Sequence, residues 1–397
     1  MTSPVPFPEP PRRILPSPGR RLAFLAIGAA AAAVRLATAP ARLLRRTRSP
    51  RPVLILEPYG MGDALLLQPL VRAFLSAGRP VTLAARGAWA PLFPAAPDFT
   101  FLPIAPDWAS PRDGAKYRHP LRDLLRTARA LRPHARGAEA IDPRGDARAV
   151  LALWLAGAAR VRSLPRYWSA NDCRLFPGAA STVPLDRRAS RRLVSRAFAP
   201  AGAPYDRPDV SHLLPPDPPP PSAELPVGLV PLTPWAGKRW PPEHWAVLRG
   251  SLNASWIPTL LLCGPGEADE ARRAAGADPD APVREARDPA DWVAALRNCR
   301  AVVSVNTGPM HLADALDLPL LVLDGSSRLP LWAPEGPRAV VLHHQDVATG
   351  APVHPVGDGL RQQREVMALV TPDEALDALF PLLPAPSQSF TTHPSHT

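Results

Sequence analysis

Short apolar runs alternate with amphipathic stretches along most of this chain. Val53-Leu54-Ile55-Leu56, Val81-Thr82-Leu83-Ala84 and Phe99-Thr100-Phe101-Leu102 are too short for buried helices and read as buried strands. Helices are predicted from the loop after the first run through Phe74, over about Pro120–Leu131 and over about Ala147–Ala156, with a short strand ending near Ile141. The alternation restarts at Val227-Gly228-Leu229-Val230. A helix near Pro242, a strand Thr259–Leu262, and helices over about 268–275 and 290–298 follow. Then come strand Ala301–Val305, helix His311–Leu316, strand Leu320–Leu323, a short strand at Val340–Leu342 and a last helix over about Pro372–Leu379. Apolar strands alternating with helices predict parallel sheets covered on both faces.

Between the two runs lies Pro215-Pro216-Asp217-Pro218-Pro219-Pro220-Pro221. Proline locks φ and has no N–H to donate, so this segment is neither a helix nor a central strand. It reads as a stiff extended connector. The expected organisation is a basic extension (1–51), a first α/β domain (52–210), a linker (211–224), a second α/β domain (225–383) and a loose tail (384–397). Two such halves imply a cleft between them, with ligands at the carboxyl ends of the strands.

Composition changes this picture little. The chain has 397 residues, enough for two domains, and 46% of them are hydrophobic, enough for a core in each. The net charge of +11 would suit an anionic partner. Only Lys116 and Lys238 are lysines, however, and the arginine, alanine and proline excess has the look of a GC-rich coding bias. No aromatic cluster on a basic strand accompanies the charge, so no nucleic-acid partner is expected. Cys173, Cys263 and Cys299 form no CxxC pair, which argues against a disulfide framework or zinc site and for a reducing compartment.

Residues 1–19 are proline-rich and expected to be disordered. The apolar run Leu22–Val34 falls short of the roughly 20 residues a membrane span needs. Its flanks also imitate a signal peptide, but Arg35, Arg42, Arg45, Arg46 and Arg48 follow it closely. An uncleaved basic helix lying on the anionic inner-membrane face is the expectation. Packing of that helix on the protein's own surface stays open.

Four loops carry candidate chemistry. Tyr59-Gly60-Met61-Gly62-Asp63 follows the first strand, where Gly60 and Gly62 allow a tight turn and close approach. Asp63 at the helix start can accept a proton from a hydroxyl, or simply cap the helix. Thr233-Pro234-Trp235-Ala236-Gly237-Lys238-Arg239 offers a hydroxyl and two adjacent cations, suited to a diphosphate, or a solvated basic loop. Lys238 stands out because lysine is so rare in this chain. Asn306-Thr307-Gly308-Pro309-Met310-His311 runs from a strand end into a helix. The amides of Thr307, Gly308, Met310 and His311 can meet phosphate there, and Asn306 can meet sugar hydroxyls. His311 reads equally well as a satisfied core histidine. Glu267, after Gly264-Pro265-Gly266, can accept from ribose hydroxyls or serve its own helix start.

In order and spacing these motifs resemble glycosyltransferase family 9, the heptosyltransferase family. The carriers are Gly62-Asp63, Lys238-Arg239-Trp240-Pro241, Thr307 to Leu312 and Trp332-Ala333-Pro334, and the similarity runs from about 52 to 380. The resemblance implies the GT-B fold: α/β, with two Rossmann-like doubly wound domains facing a cleft. It implies an inverting transfer of a sugar, heptose in the family, from an ADP-sugar to a lipopolysaccharide-core or related lipid-linked glycan. Asp63 would be the base, and Thr233, Lys238, Arg239, Glu267, Asn306, Thr307, Gly308, Met310 and His311 would hold the donor. No cofactor or metal is expected, and no DxD pair is placed to recruit one. A monomeric, cytoplasmic, membrane-peripheral enzyme is the expectation. The family usually has aspartate where this chain has Asn306, which leaves the donor sugar open. Transfer of a different sugar, or a catalytically silent membrane scaffold, are the rival readings.

Overall fold

The computed structural model describes residues 51–109, 120–164, 181–182, 190–215, 222–325, 331–344 and 358–384. The segment expected to form the N-terminal basic helix, Cys173, the proline run after Pro215 and the tail from 385 lie outside these residues.

Six parallel strands form the first sheet: β1 (Val53–Glu57), β2 (Val81–Ala85), β3 (Phe99–Pro103), β4 (Glu139–Asp142), β5 (Arg160–Ser163) and β6 (Ser181–Thr182). Their spatial order is β3-β2-β1-β4-β5-β6. The second sheet comprises β7 (Val227–Val230), β8 (Thr259–Cys263), β9 (Val283–Glu285), β10 (Ala301–Val305), β11 (Leu320–Leu323) and β12 (Ala339–Leu342), ordered β12-β11-β10-β7-β8-β9. Counted from the first strand of each sheet, both follow the doubly wound order 3-2-1-4-5-6. The strand direction reverses its march between β1 and β4 in one sheet and between β7 and β10 in the other. Loops diverge there, and a crevice opens at the carboxyl ends.

The apolar runs form strands because both faces are covered. All five residues of β1 and of β10 are buried. In the first half the helices are α1 (Met61–Leu65), α2 (Gln68–Ser76), α3 (Pro120–Ala135), α4 (Ala147–Leu155) and α5 (Arg191–Arg196). In the second they are α6 (Pro242–Ala254), α7 (Ala268–Ala274), α8 (Pro289–Arg297), α9 (Gly308–Ala315), α10 (Asp358–Ala368) and α11 (Pro372–Leu379). One apolar cluster packs α4 on the first sheet through Val150, Leu153 and Val161. A second packs Trp240, Trp245 and Leu379 on the other sheet. A third crosses between the halves, joining Met61, Leu92 and Phe93 to Trp292, Leu296 and Met310.

The single helix expected through Phe74 is two helices. Pro69 occupies the first turn of α2 and cannot extend an earlier ladder, so the chain breaks at Leu66-Leu67. The helix expected from His311 begins at Gly308, because Pro309 suits a first turn. The strands β5, β6 and β9 and the helices α5 and α10 had no clear apolar signature. Arg160-Val161-Arg162-Ser163, for instance, buries only alternate residues.

Polar links tie the halves together on the side of α5. The Arg191 N–H donates to the Leu331 carbonyl at 2.7 Å. Ser190 Oγ and Arg192 Nε both donate to the Glu335 carboxylate. Arg207 pairs with Asp317 at 2.7 Å and with Asp314 at 3.4 Å.

Candidate functional site

The turn from β1 into α1 faces the turn from β10 into α9 across the crevice. Gly60 is the N-cap of α1, and Asp63 is its third residue rather than its cap. The Gly60 N–H donates to Asp63 Oδ2 at 3.1 Å, and Asp63 Oδ1 pairs with Arg144 Nη1 at 2.9 Å. One carboxylate thus serves its own helix start and a guanidinium from the β4–α4 loop.

Arg144 organises this side. It also pairs with Glu57 Oε1 at 3.3 Å, and its guanidinium carbon lies 3.9 Å from the Tyr59 ring centre. Burial alone would lower its pKa, but Asp63 and Glu57 outweigh that and hold it above the ordinary arginine range. Glu57, closing β1, is fully buried and paired as well with Arg191 Nη2 at 2.8 Å. Burial raises the Glu57 pKa above the usual carboxylate value despite Arg144 and Arg191. Tyr59 donates its hydroxyl to Asp146, the N-cap of α4.

On the opposite side, a one-turn 3₁₀ segment Ala236–Lys238 follows β7. Gly237 is required there: a Cβ would stand 2.1 Å from Gln363 Oε1 of α10. The turn sends Lys238 inward, Nζ lying 3.4 Å from Asn306 Oδ1. Burial lowers the Lys238 pKa; the carboxylates of Asp324 and Asp63 oppose this, and Arg144 adds to it. Asn306 in turn donates Nδ2 to Asp324 Oδ2 at 2.9 Å and to the Trp332 carbonyl at 3.2 Å.

Thr307 caps α9 by backbone geometry, but its side chain makes no capping bond. The amides of Thr307, Gly308 and Met310 therefore head the helix without intrahelical acceptors. His311 is the fourth helical residue. Its ring is buried and packs on the other half: a Cβ at Gly62 would lie 2.5 Å from His311 Cδ2. Burial, aided by Lys238 and opposed by Asp63, pushes the imidazole pKa down to about 4. The ring is thus neutral near pH 7. Gly308 likewise meets Met61, whose Cε would be 3.0 Å from an added Cβ. The two helix starts are in van der Waals contact.

Asp63, Gly60, Gly62, Lys238, Asn306, Thr307, Gly308 and His311 are thus gathered in one crevice. Met310 has its side chain fully buried in the core and can offer only its amide. Thr233 is buried, its hydroxyl 3.4 Å from the Trp235 N–H. Arg239 is ion-paired with Glu270 at 2.7 Å. Glu267 turns back to accept the Gly264 N–H at 2.9 Å as the residue before α7. The sequence pattern gave no weight to Glu57, Arg144, Arg191 or Asp324. Glu57 and Asp324 share a signal that could have found them: each is an acid closing or following an otherwise apolar strand. Among the described residues no group of three or more His, Cys, Asp or Glu could hold a metal ion.

Two doubly wound parallel sheets of identical strand order, facing each other across one crevice, are the architecture of the GT-B fold. Residues 220–351 match the model of glycosyltransferase family 9 (heptosyltransferase). Lipopolysaccharide heptosyltransferase 1 of Pseudomonas aeruginosa is 35% identical over 94 residues. That match spans 23% of this chain and only 26% of the relative's length. Among solved structures, a family 9 glycosyltransferase from Veillonella parvula aligns with a TM-score of 0.59 at 16% identity, covering 84% of this chain and 97% of that one. The E. coli heptosyltransferase WaaC with ADP aligns with a TM-score of 0.58 at 20% identity, covering 83% and 99%. At such identities the structures establish the fold.

Proposed function

We propose that this protein is an inverting glycosyltransferase that moves a sugar, heptose by family, from an ADP-sugar to a lipopolysaccharide-core or related glycan. The observation that carries this reading is the confrontation of Asp63 with Lys238 and the open start of α9 across one crevice. The diphosphate lies against Lys238 and the amides of Thr307, Gly308 and Met310. Cation and helix start together stabilise the charge that develops as the nucleoside diphosphate leaves. In this proposal these groups carry that charge without a metal ion. Asp63 receives the proton of the attacking hydroxyl. Arg144, paired with that carboxylate at 2.9 Å, holds it in place for a late proton transfer from a hydroxyl already bonding to carbon. Attack from the Asp63 side, opposite the leaving diphosphate, inverts the anomeric centre.

Incubation of the purified protein with ADP-heptose and a heptose-free core acceptor tests the reading. A product heavier by one heptose, with inverted anomeric configuration by NMR, is expected; no transfer, or retained configuration, would refute it. Asn306 favours a second reading in which another ADP-sugar is the better donor, and a donor panel in the same assay separates the two.

The acceptor is lipid-linked in this proposal, and the enzyme works as a monomer on the cytoplasmic membrane face. Helix α3 supports this. Leu121 and Leu125, 62% and 50% exposed, share its outer face with Arg122, Arg129 and Arg132. Apolar side chains ringed by arginine suit an anionic interface. No helix among the described residues is long and apolar enough to cross a membrane. Sedimentation with anionic vesicles should fall for a Leu121→Asp, Leu125→Asp variant; unchanged sedimentation would remove α3 from the membrane contact.

A further inference from the structure

Lys238 has a problem that its own loop does not solve. Its ammonium is desolvated and shares the crevice with the Arg144 guanidinium, and both disfavour the charged form. A neutral amine would hold a diphosphate poorly. The charges that act on it are Asp63 from α1, Arg144 from the β4–α4 loop and Asp324 from the end of β11; Asn306 from the end of β10 and His311 from α9 also face it, and α10, packed on the same turn, places the neutral Gln363 against Gly237. Only Asp63 and Asp324 among these are acids. Asp63 is already engaged by Arg144 at 2.9 Å.

Asp324 is 1% exposed and reaches Lys238 through Asn306. The chain of contacts has a fixed sense. The ammonium donates to Asn306 Oδ1 at 3.4 Å, and Asn306 Nδ2 donates to Asp324 Oδ2 at 2.9 Å. Reversing the amide would set an NH₂ against an ammonium and an oxygen against a carboxylate. The Trp332 carbonyl, accepting from the same Nδ2 at 3.2 Å, favours the same orientation. An amide polarised between a cation and an anion strengthens both bonds.

We propose that Asp324 is the positioning residue of the diphosphate site. Through the amide of Asn306 it aims Lys238 into the crevice and keeps it protonated. The link to the diphosphate rests on the function proposed above; the link to Lys238 does not.

The scarcity of lysine supplies a direct test on the full-length protein. Only Lys116 and Lys238 carry ε-amines. Trace acetylation by acetic anhydride across a pH series, read by peptide mass, reports the protonation of each separately. In Asp324→Asn the half-maximal labelling pH of Lys238 should fall while that of Lys116 stays put. Asn306→Asp should raise it, and the exchange Asn306→Asp, Asp324→Asn should restore it toward the parent. ADP titration over the same pH range should follow: Asp324→Asn should lose on the order of tenfold in affinity at the alkaline end and far less near pH 6.5. Lys238 labelling that ignores all three variants, or a loss of ADP affinity uniform in pH and not rescued by the exchange, would overturn the proposal. If Asp324→Asn alone does not fold, the opposite shift in Asn306→Asp and the rescue in the exchange variant still decide it. A parent protein that binds no nucleotide would instead refute the function proposed above, while the labelling result stands on its own.

Discussion

The two sheets share one strand order, yet their switch points are furnished in opposite ways. At the first, the start of α1 is filled by the protein's own carboxylate: Asp63 accepts the Gly60 N–H, and Arg144 and Arg191 neutralise the acids around it. At the second, the start of α9 has no side-chain cap, and a lysine stands beside it. One topology thus yields a self-satisfied acidic end and an uncapped end beside a lysine. The difference lies in a few residues at strand ends, not in the fold. This is why fold alone does not assign chemistry, while the residues at matched positions do.

If that contrast is functional, the two ends should fail differently. Asp63→Asn should lower turnover by on the order of 10²–10⁴-fold, the usual worth of a general base, with nucleotide affinity nearly unchanged. Turnover within a few-fold of the parent would remove the base from the first switch point. Arg191→Met should act on stability. It leaves Glu57 buried with Arg144 as its remaining partner, and breaking a buried pair typically costs about 3–5 kcal/mol in denaturant unfolding. A loss below 1 kcal/mol, on the order of an exposed pair, would mean that Arg144 alone suffices.

Lys238→Ala should weaken ADP binding by about 1.5–3 kcal/mol, the worth of a charge-assisted contact, with the fold intact. Equal affinity in calorimetry would take the lysine out of the site. Gly62→Ala tests the contact between the two ends. Its Cβ would meet the His311 ring at 2.5 Å, and overpacking of this kind costs about 1–3 kcal/mol. Turnover should drop, and His311→Ala in the same chain should recover part of it; no recovery would place the clash elsewhere.

The pH dependence gives the smallest effect near neutrality. His311 has its folded pKa pushed down to about 4, below the ordinary histidine value of 6.5. The unfolded chain therefore takes up the proton first. The stability contributed by a neutral His311 is complete above pH 6.5, erodes as pH falls below it, and is lost as pH reaches about 4. Urea unfolding between pH 7 and 4 should show this slope reduced in His311→Gln. An identical slope in both proteins would assign the acid sensitivity to other groups.

Much of this was legible in the residue pattern, for stated physical reasons. Strands such as Val53–Glu57 and Ala301–Val305 are buried on both faces and so announce themselves as continuous apolar runs. The glycine turns and the Thr307-Gly308-Pro309 helix start are local signals that need no tertiary context. What escaped was non-local. Arg144 matters because β4 lies beside β1, a neighbourhood that follows from strand order and not from spacing along the chain. Asp324 matters because β11 pairs with β10. The edge strand β9 has no fully buried residue and leaves little trace. The ion pair of Arg239 with Glu270 of α7 is likewise set by packing, whereas Glu267 meets Gly264 within its own turn.

A crystal structure of the protein with ADP tests the central claim most directly. The diphosphate should lie within hydrogen-bonding distance of Lys238 Nζ and the amides at Thr307 and Gly308, with the Asp63 carboxylate facing it across the crevice. Nucleotide bound at any other surface, or a diphosphate held on the Asp63 side of the crevice, would contradict the account.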